Sequence, residues 1–210
     1  MKVALIGSTG FIGQGVLACL VADGHVVRAL ARHPSRVRQQ NGLTVIGGDA
    51  LNLEAVDQTV AGCEAVVSTL GTRRGEDVDP DFLAQAARNV LQAMRNHGVN
   101  RLVAVSGAGI TVPGERKPFP HNVISRLLRM LARNAVESKQ REYDVLAGSE
   151  VEWTAVRPVR VQDVPASGSV RTGTSAEHLG TRVSRDDLAR FIVDQLHDRT
   201  FVHQAPFISA

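Results

Sequence analysis

The chain has 210 residues, 43% of them hydrophobic, with 24 Lys and Arg against 21 Asp and Glu. That length suits one domain with a substantial core. A net charge of only +3 and 4% aromatic residues argue against a nucleic-acid binder, which needs a dense basic stripe and platforms for stacking bases.

Strand-like and helix-like patterns alternate along the chain. Residues 3–6 form a short apolar run, then a glycine turn, then an apolar helix over Phe11–Ala22 that Gly24 closes. Val26–Ala31 and residues 43–46 and 65–69 predict the second, third and fourth strands, with a helix over Leu53–Val60 between the last two. Asp79 and Pro80 predict the N-cap and first residue of a longer helix, because proline has no N–H to lose there. Its apolar stripe of Phe82, Leu83, Ala86, Ala87, Val90, Leu91 and Met94 runs to Gly98. Residues 102–105 predict the fifth strand, 107–120 a Gly/Pro-rich loop, 122–146 a basic amphipathic helix and 151–156 the sixth strand. Residues 163–181 predict a loop with a short strand near Val170. Ser184, with Asp187 three residues on, caps a last helix, and residues 201–208 predict a terminal strand. The expected fold is α/β, a single-domain Rossmann-type doubly wound parallel sheet through residues 1–210.

Gly7-Ser8-Thr9-Gly10-Phe11-Ile12-Gly13 spaces three glycines between the first strand and the first helix. Gly7 permits the turn off the strand, Gly10 lets backbone N–H groups approach a pyrophosphate, and Gly13 lets helix and strand pack closely. All seven residues are candidate cofactor contacts, since a helix N-terminus attracts phosphate. An NAD site ends its second strand in Asp or Glu, which accepts from the ribose 2′-OH. Here Arg32 stands nineteen residues after Gly13, followed by Ser35 and Arg36. A guanidinium donates and cannot accept, so it suits a 2′-phosphate, and NADP(H) is the expected cofactor. Arg28 shares a strand face with Arg32, further from the site. Asp49 and Ala50 after the third strand are expected at the adenine, and Leu70, Gly71 and Thr72 after the fourth at the ribose. Ser106 after the fifth strand faces the nicotinamide end as the candidate catalytic hydroxyl.

These landmarks resemble the atypical short-chain dehydrogenase/reductase group of NAD(P)H-binding proteins, and within it the flavin reductase/biliverdin-IXβ reductase type. The resemblance is carried by GSTGFIG at 7–13, ARHPSR at 31–36, GDALN at 48–52 and TVAGCEAVVSTLGTR at 59–73. ARNVLQAMRNHGVNRLVAVS at 87–106 and AVRPVRVQD at 155–163 complete it. It implies NADPH-dependent hydride transfer to flavins or related conjugated acceptors, with Pro158 among the cofactor contacts. The chain departs from that type at Gly107, where the type has serine, and at Arg160, where it has histidine. The loop 107–120 and the segment 163–181, which should shape the acceptor pocket, do not match closely.

Most short-chain dehydrogenases use Tyr with Lys four residues later as an acid–base pair. The only tyrosine is Tyr143, position 147 is Ala147, and Lys139 precedes the tyrosine by four, in reversed order. A reductase whose acceptor is protonated by solvent is therefore expected, with a small-molecule acceptor as partner. A non-catalytic NADP(H) sensor resembling the NmrA-type regulators is the alternative, and an extended-type dehydrogenase or epimerase a weaker one. Arg116, Lys117, Arg126, Arg129 and Arg133 read as a solvated helix face, or as a rim that draws an acidic acceptor. Arg157 is expected to brace the sheet edge. Cys19 and Cys63 lack metal-ligand spacing, and His121, His178 and His203 are scattered, so no metal site is expected. No apolar run approaches a membrane span, and residues 3–6 are too short for a signal-peptide core. A cytoplasmic monomer or small homo-oligomer without membrane or nucleic-acid partners is expected.

Overall fold

The computed structural model describes residues 1–72, 79–115, 133–176 and 179–210. Ten strands and five α-helices are found among them: β1 (Lys2–Ile6), α1 (Phe11–Ala22), β2 (Val26–Ala31), β3 (Leu43–Gly47), α2 (Leu53–Val60), β4 (Ala65–Ser68), α3 (Phe82–His97) and β5 (Arg101–Val105). After these come α4 (Arg133–Ala147), β6 (Glu152–Pro158), β7 (Arg160–Gln162), β8 (Arg171–Gly173), β9 (Arg182–Ser184), α5 (Arg185–Asp194) and β10 (Phe207–Ser209).

Eight strands make one sheet in the order β3-β2-β1-β4-β5-β6-β10-β8. Every pairing in it is parallel except that of β10 with β8. The order reverses between β1 and β4, which opens a crevice at their carboxyl ends. The strands are apolar at successive positions because both faces are covered. In β1, Ala4 and Ile6 pack with α2 and α3, whereas Val3 and Leu5 pack with α1 and α5. In β5, Leu102 and Ala104 share the first face, Val103 and Val105 the second. The expected fold class is the one found.

Several boundaries differ from expectation. The long helix begins at Phe82 rather than Pro80, and the Asp79 carboxylate instead accepts from the Asp81 N–H in a turn. The third and fifth strands each gain one residue. The fourth ends at Ser68, one residue early, because the Thr69 side chain turns back to the neighbouring strand. The sixth runs on to Pro158, and the terminal strand shrinks to Phe207–Ser209, with a turn over its first half. β7 and β9, a separate parallel pair, were not anticipated; at three residues each they are too short to carry a period. The short strand expected near Val170 is β8. Of the basic helix expected over 122–146, residues 122–132 lie outside the described residues, with Arg116, Lys117, Arg126 and Arg129.

Candidate functional site: the carboxyl edge of the sheet

The glycine turn leaves β1 with Gly7 at φ +90°, a conformation that disfavours side chains. The Gly10 N–H donates to the Gly7 carbonyl at 3.1 Å, and α1 starts at the next residue. A Cβ on Gly13 would lie 2.1 Å from the Gly7 oxygen, so this glycine is required by helix–strand packing. Gly10 is different. Its φ is −74°, and a Cβ there would meet nothing closer than the Gly7 oxygen at 3.4 Å. The protein's own packing does not demand glycine at position 10; a ligand lying against the backbone would.

The head of α1 is electrostatically open. It has no side-chain cap and no acidic residue in its first turn. By contrast Asn52 caps α2 by accepting from Ala55 N, and Ser184 caps α5 by accepting from Asp187 N. The free N–H groups and partial positive charge at α1 therefore face the crevice without an internal counterpart. Thr69 closes its floor, with Oγ1 3.1 Å from both the Ile6 and Gly7 carbonyls. Ser8 is buried and its hydroxyl donates to the Leu30 carbonyl, so the turn is tied to β2 and Ser8 offers a ligand its backbone. Ile12 packs into the core face of α1, Phe11 is 45% exposed, and the Arg185 guanidinium lies 5.3 Å from the Phe11 ring centre.

At the end of β2, Arg32, Ser35 and Arg36 are all exposed, the last two in a 3-10 turn over Pro34–Arg36. Neither guanidinium has a side-chain hydrogen bond or ion pair among the described residues. Arg28 does not join them: its guanidinium donates to the carbonyls of Gln58 and Thr59 at the end of α2. After β3, one Asp49 oxygen accepts from Leu51 N at 2.9 Å, which leaves the other for a ligand. Ala50 is buried, and its carbonyl accepts from the Asn89 amide on α3. Gly71 is exposed, with open space where a Cβ would stand, and Thr72 is partly exposed.

Ser106 directly follows β5, and its hydroxyl is buried without a partner among the described residues. A buried O–H with nothing to bond is uncommon and leaves a donor for something placed beside it. Pro158, half-buried, ends the adjacent β6.

The sequence reading gave Lys139 only its reversed spacing from Tyr143 and missed its place at the strand ends. Its ammonium donates to the carbonyls of Leu70 (2.7 Å) and Val105 (2.6 Å) and to the Glu142 carboxylate (2.7 Å), bridging the ends of β4 and β5. Burial pushes the Glu142 carboxyl up, with the Lys139 cation opposing that shift. Lys139, Glu142, Tyr143 and Leu146 recur at helical spacing, and all four face inward. Charged residues on an otherwise apolar stripe were the available signal. Tyr143 is buried edge-on against Trp153, 5.8 Å between ring centres. Arg157 does brace the sheet edge: it is 1% exposed, ion-paired with Glu115 at 2.9 Å and stacked on Phe207. No cluster of three or more metal-ligating side chains occurs among the described residues, and none of their helices is long and apolar enough to cross a membrane.

An open helix head over a glycine cradle, set at the strand-order reversal, suits a dinucleotide's pyrophosphate. The family model described as NAD(P)H-binding matches residues 7–199. The chain belongs to the NAD(P)H-binding family. NAD(P)H binding is what the resemblance implied. Among relatives, it is 30% identical over 165 residues to an N-acetyl-alpha-D-glucosaminyl-diphospho-ditrans,octacis-undecaprenol 4-epimerase of Escherichia coli O157:H7. That match covers 75% of this chain and 48% of the epimerase, so the chain spans about half of that relative's length. Among solved structures, it resembles the anaerobilin reductase ChuY of Escherichia coli O157:H7, with TM-score 0.82 and 21% identity over 100% of this chain and 97% of that one. A wide-type short-chain dehydrogenase/reductase of Veillonella parvula in complex with NADP gives TM-score 0.81 at 18% identity, covering 100% and 94%. At those identities the likeness is one of fold.

Proposed function

We propose that this NAD(P)H-binding protein is an NADPH-dependent reductase that passes hydride to a flavin, a quinone or a similar conjugated acceptor. The observation that carries the reading is the state of the residues that would do alcohol chemistry. Lys139 is held by three acceptors, and Tyr143 lies within the core face of α4, so no Tyr–Lys acid–base pair is poised among the described residues. A conjugated acceptor needs no such pair, because solvent can protonate the reduced ring.

When bound, the nicotinamide supplies the hydride. The backbone N–H groups of the Gly7–Gly13 turn would hold the pyrophosphate, and Arg32 and Arg36 would pair with the 2′-phosphate. Asp49 would accept from the adenine amino group through its uncommitted oxygen, with Ala50 and Leu70-Gly71-Thr72 lining the adenosine side. Ser106 would donate its unpartnered O–H at the nicotinamide end, with Pro158 opposite, and Lys139 would keep the ends of β4 and β5 in register. The NADP-bound and anaerobilin-reductase neighbours support this reading by likeness of fold.

The test is NADPH oxidation, followed optically, against a panel of flavins, quinones and tetrapyrroles. Turnover with at least one conjugated acceptor is expected. Tight NADPH binding with no acceptor turned over would favour the redox-sensor reading, and turnover of alcohols alone would favour a dehydrogenase.

A further inference from the structure

Helices α1 and α5 lie side by side and run the same way. At their tails Arg190 of α5 pairs at 2.7 Å with Asp23, the residue that closes α1. At their heads Arg185, the first residue of α5, lies along the first turns of α1. A Cβ on Gly15 would stand 3.1 Å from the Arg185 Cγ and 3.3 Å from its Cδ. Glycine inside a helix is unfavourable against alanine, and here it leaves the room that this side chain fills. The Arg185 guanidinium then reaches the Phe11 ring, 5.3 Å from its centre. Phe11 is the first residue of α1 and belongs to the glycine turn.

This arrangement sets a cation beside the positive end of a helix. The α1 head has no acidic residue in its first turn and no side-chain cap, so nothing on that helix offsets the two like charges. The α5 head differs, with Asp186 and Asp187 in its first turn and Ser184 as its cap. Among the described residues Arg185 forms ion pairs only with Asp163, at 3.5 Å, and Asp186, at 3.2 Å. Those two carboxylate side chains are 73% and 59% exposed, so water screens both pairs and they hold the guanidinium weakly. An anion between the guanidinium and the helix head would satisfy both.

The diphosphate of NAD(P)H is such an anion. We infer that Arg185 is a cofactor contact, its guanidinium pairing with the diphosphate that the Gly7–Gly13 backbone holds. The contact reads charge that NADPH and NADH share, whereas Arg32 and Arg36 read the 2′-phosphate that NADPH alone carries. Asp163 and Asp186 compete with the diphosphate for the same guanidinium. The inference rests on the glycine turn as the phosphate cradle and does not require the reductase reading.

Titration calorimetry with NADPH and with NADH tests it, each variant first being checked for intact folding by its melting temperature. Arg185→Met keeps an apolar stem against Gly15 and removes the charge, so it should weaken both nucleotides about tenfold and by the same factor. Asp163→Asn removes a competitor and should tighten both about twofold or more, a gain that a merely structural role for Arg185 does not produce. In the Arg185→Met background the same substitution should change neither affinity. Unchanged binding in Arg185→Met, a loss confined to NADPH, no gain in Asp163→Asn, or an equal gain without Arg185 overturns the inference. Gly10→Val separates this from the turn itself. If that variant binds NADPH as the wild type does, the phosphate cradle fails and the inference with it; if it loses binding while Arg185→Met does not, the inference alone fails.

Discussion

At the scale of single residues, the three glycines of the turn have separate causes, and substitution separates them. Gly13→Ala would force a Cβ to within 2.1 Å of backbone oxygen, an overpacking that costs about 1–3 kcal/mol or more and should lower the melting temperature. Gly10→Val meets no such obstacle in the protein, so it should melt near the wild type yet lose nucleotide binding, as calorimetry would show. If both variants bind NADPH normally, the turn is merely a tight corner. Arg32 and Arg36 are exposed and have no side-chain partner among the described residues, so they can form charge-assisted hydrogen bonds with a 2′-phosphate. Arg32→Ala should therefore weaken NADPH on the order of tenfold, leave NADH nearly unchanged, and narrow the preference between them. These positions were legible in the sequence because spacing along one turn and one strand end fixes them. Lys139 was not. Its acceptors Leu70 and Val105 come from distant points of the chain, and its own helix suggested only a reversed pairing with Tyr143.

At the scale of elements, two polar anchors hold pieces that patterning alone could not join. Arg101, at the start of β5, is 3% exposed, and its guanidinium is caged by the carbonyls of Gln195 and Glu152 and the hydroxyl of Thr154. Burial brings its pKa down to about 10, still far above neutral, so the cation persists. Arg101→Met should strand those buried acceptors and cost about 2 kcal/mol or more in chemical denaturation. The second anchor is Asp187, which accepts from Ser167 N, Ser167 Oγ and Gly168 N across the fold and from Ser184 Oγ at the head of α5. Burial would raise its carboxyl, but these four donors hold it below the usual carboxylate range. A depressed folded pKa gives stability that is complete above the unfolded value of about 3.9 and is lost as pH falls through the folded one. Amide exchange at Ser167 and Gly168 should thus stay protected from pH 7 to about pH 4 and accelerate specifically below it, judged against amides of β5. In Asp187→Asn that acid-dependent step should vanish. The Ser184–Asp187 cap was visible as a local motif; the grip on Ser167 was not, because it spans twenty residues without any periodic signal.

At the scale of the whole molecule, a ligand that binds only the folded chain stabilises it by mass action. NADPH at one hundred times its dissociation constant contributes about 2.7 kcal/mol. For a chain of this size that corresponds to a rise of roughly 5–10 °C in melting temperature, and NADH at equal concentration should give less. Equal shifts would remove the case for the 2′-phosphate. The alternation of apolar strands with amphipathic helices by itself determined the sheet, because strands that are apolar at successive positions are stable only when helices cover both faces. The glycine spacing by itself determined that an uncapped helix head follows the turn off β1, since turn and helix head are contiguous in the chain. Tertiary structure alone decided which buried charges find partners. Glu115 and Arg157, or Lys139 and the ends of β4 and β5, meet only after the sheet has closed. Contacts between residues far apart in sequence leave no mark in periodicity or local spacing. Whether a buried charge is paired, and hence what chemistry it offers a ligand, depends on those contacts.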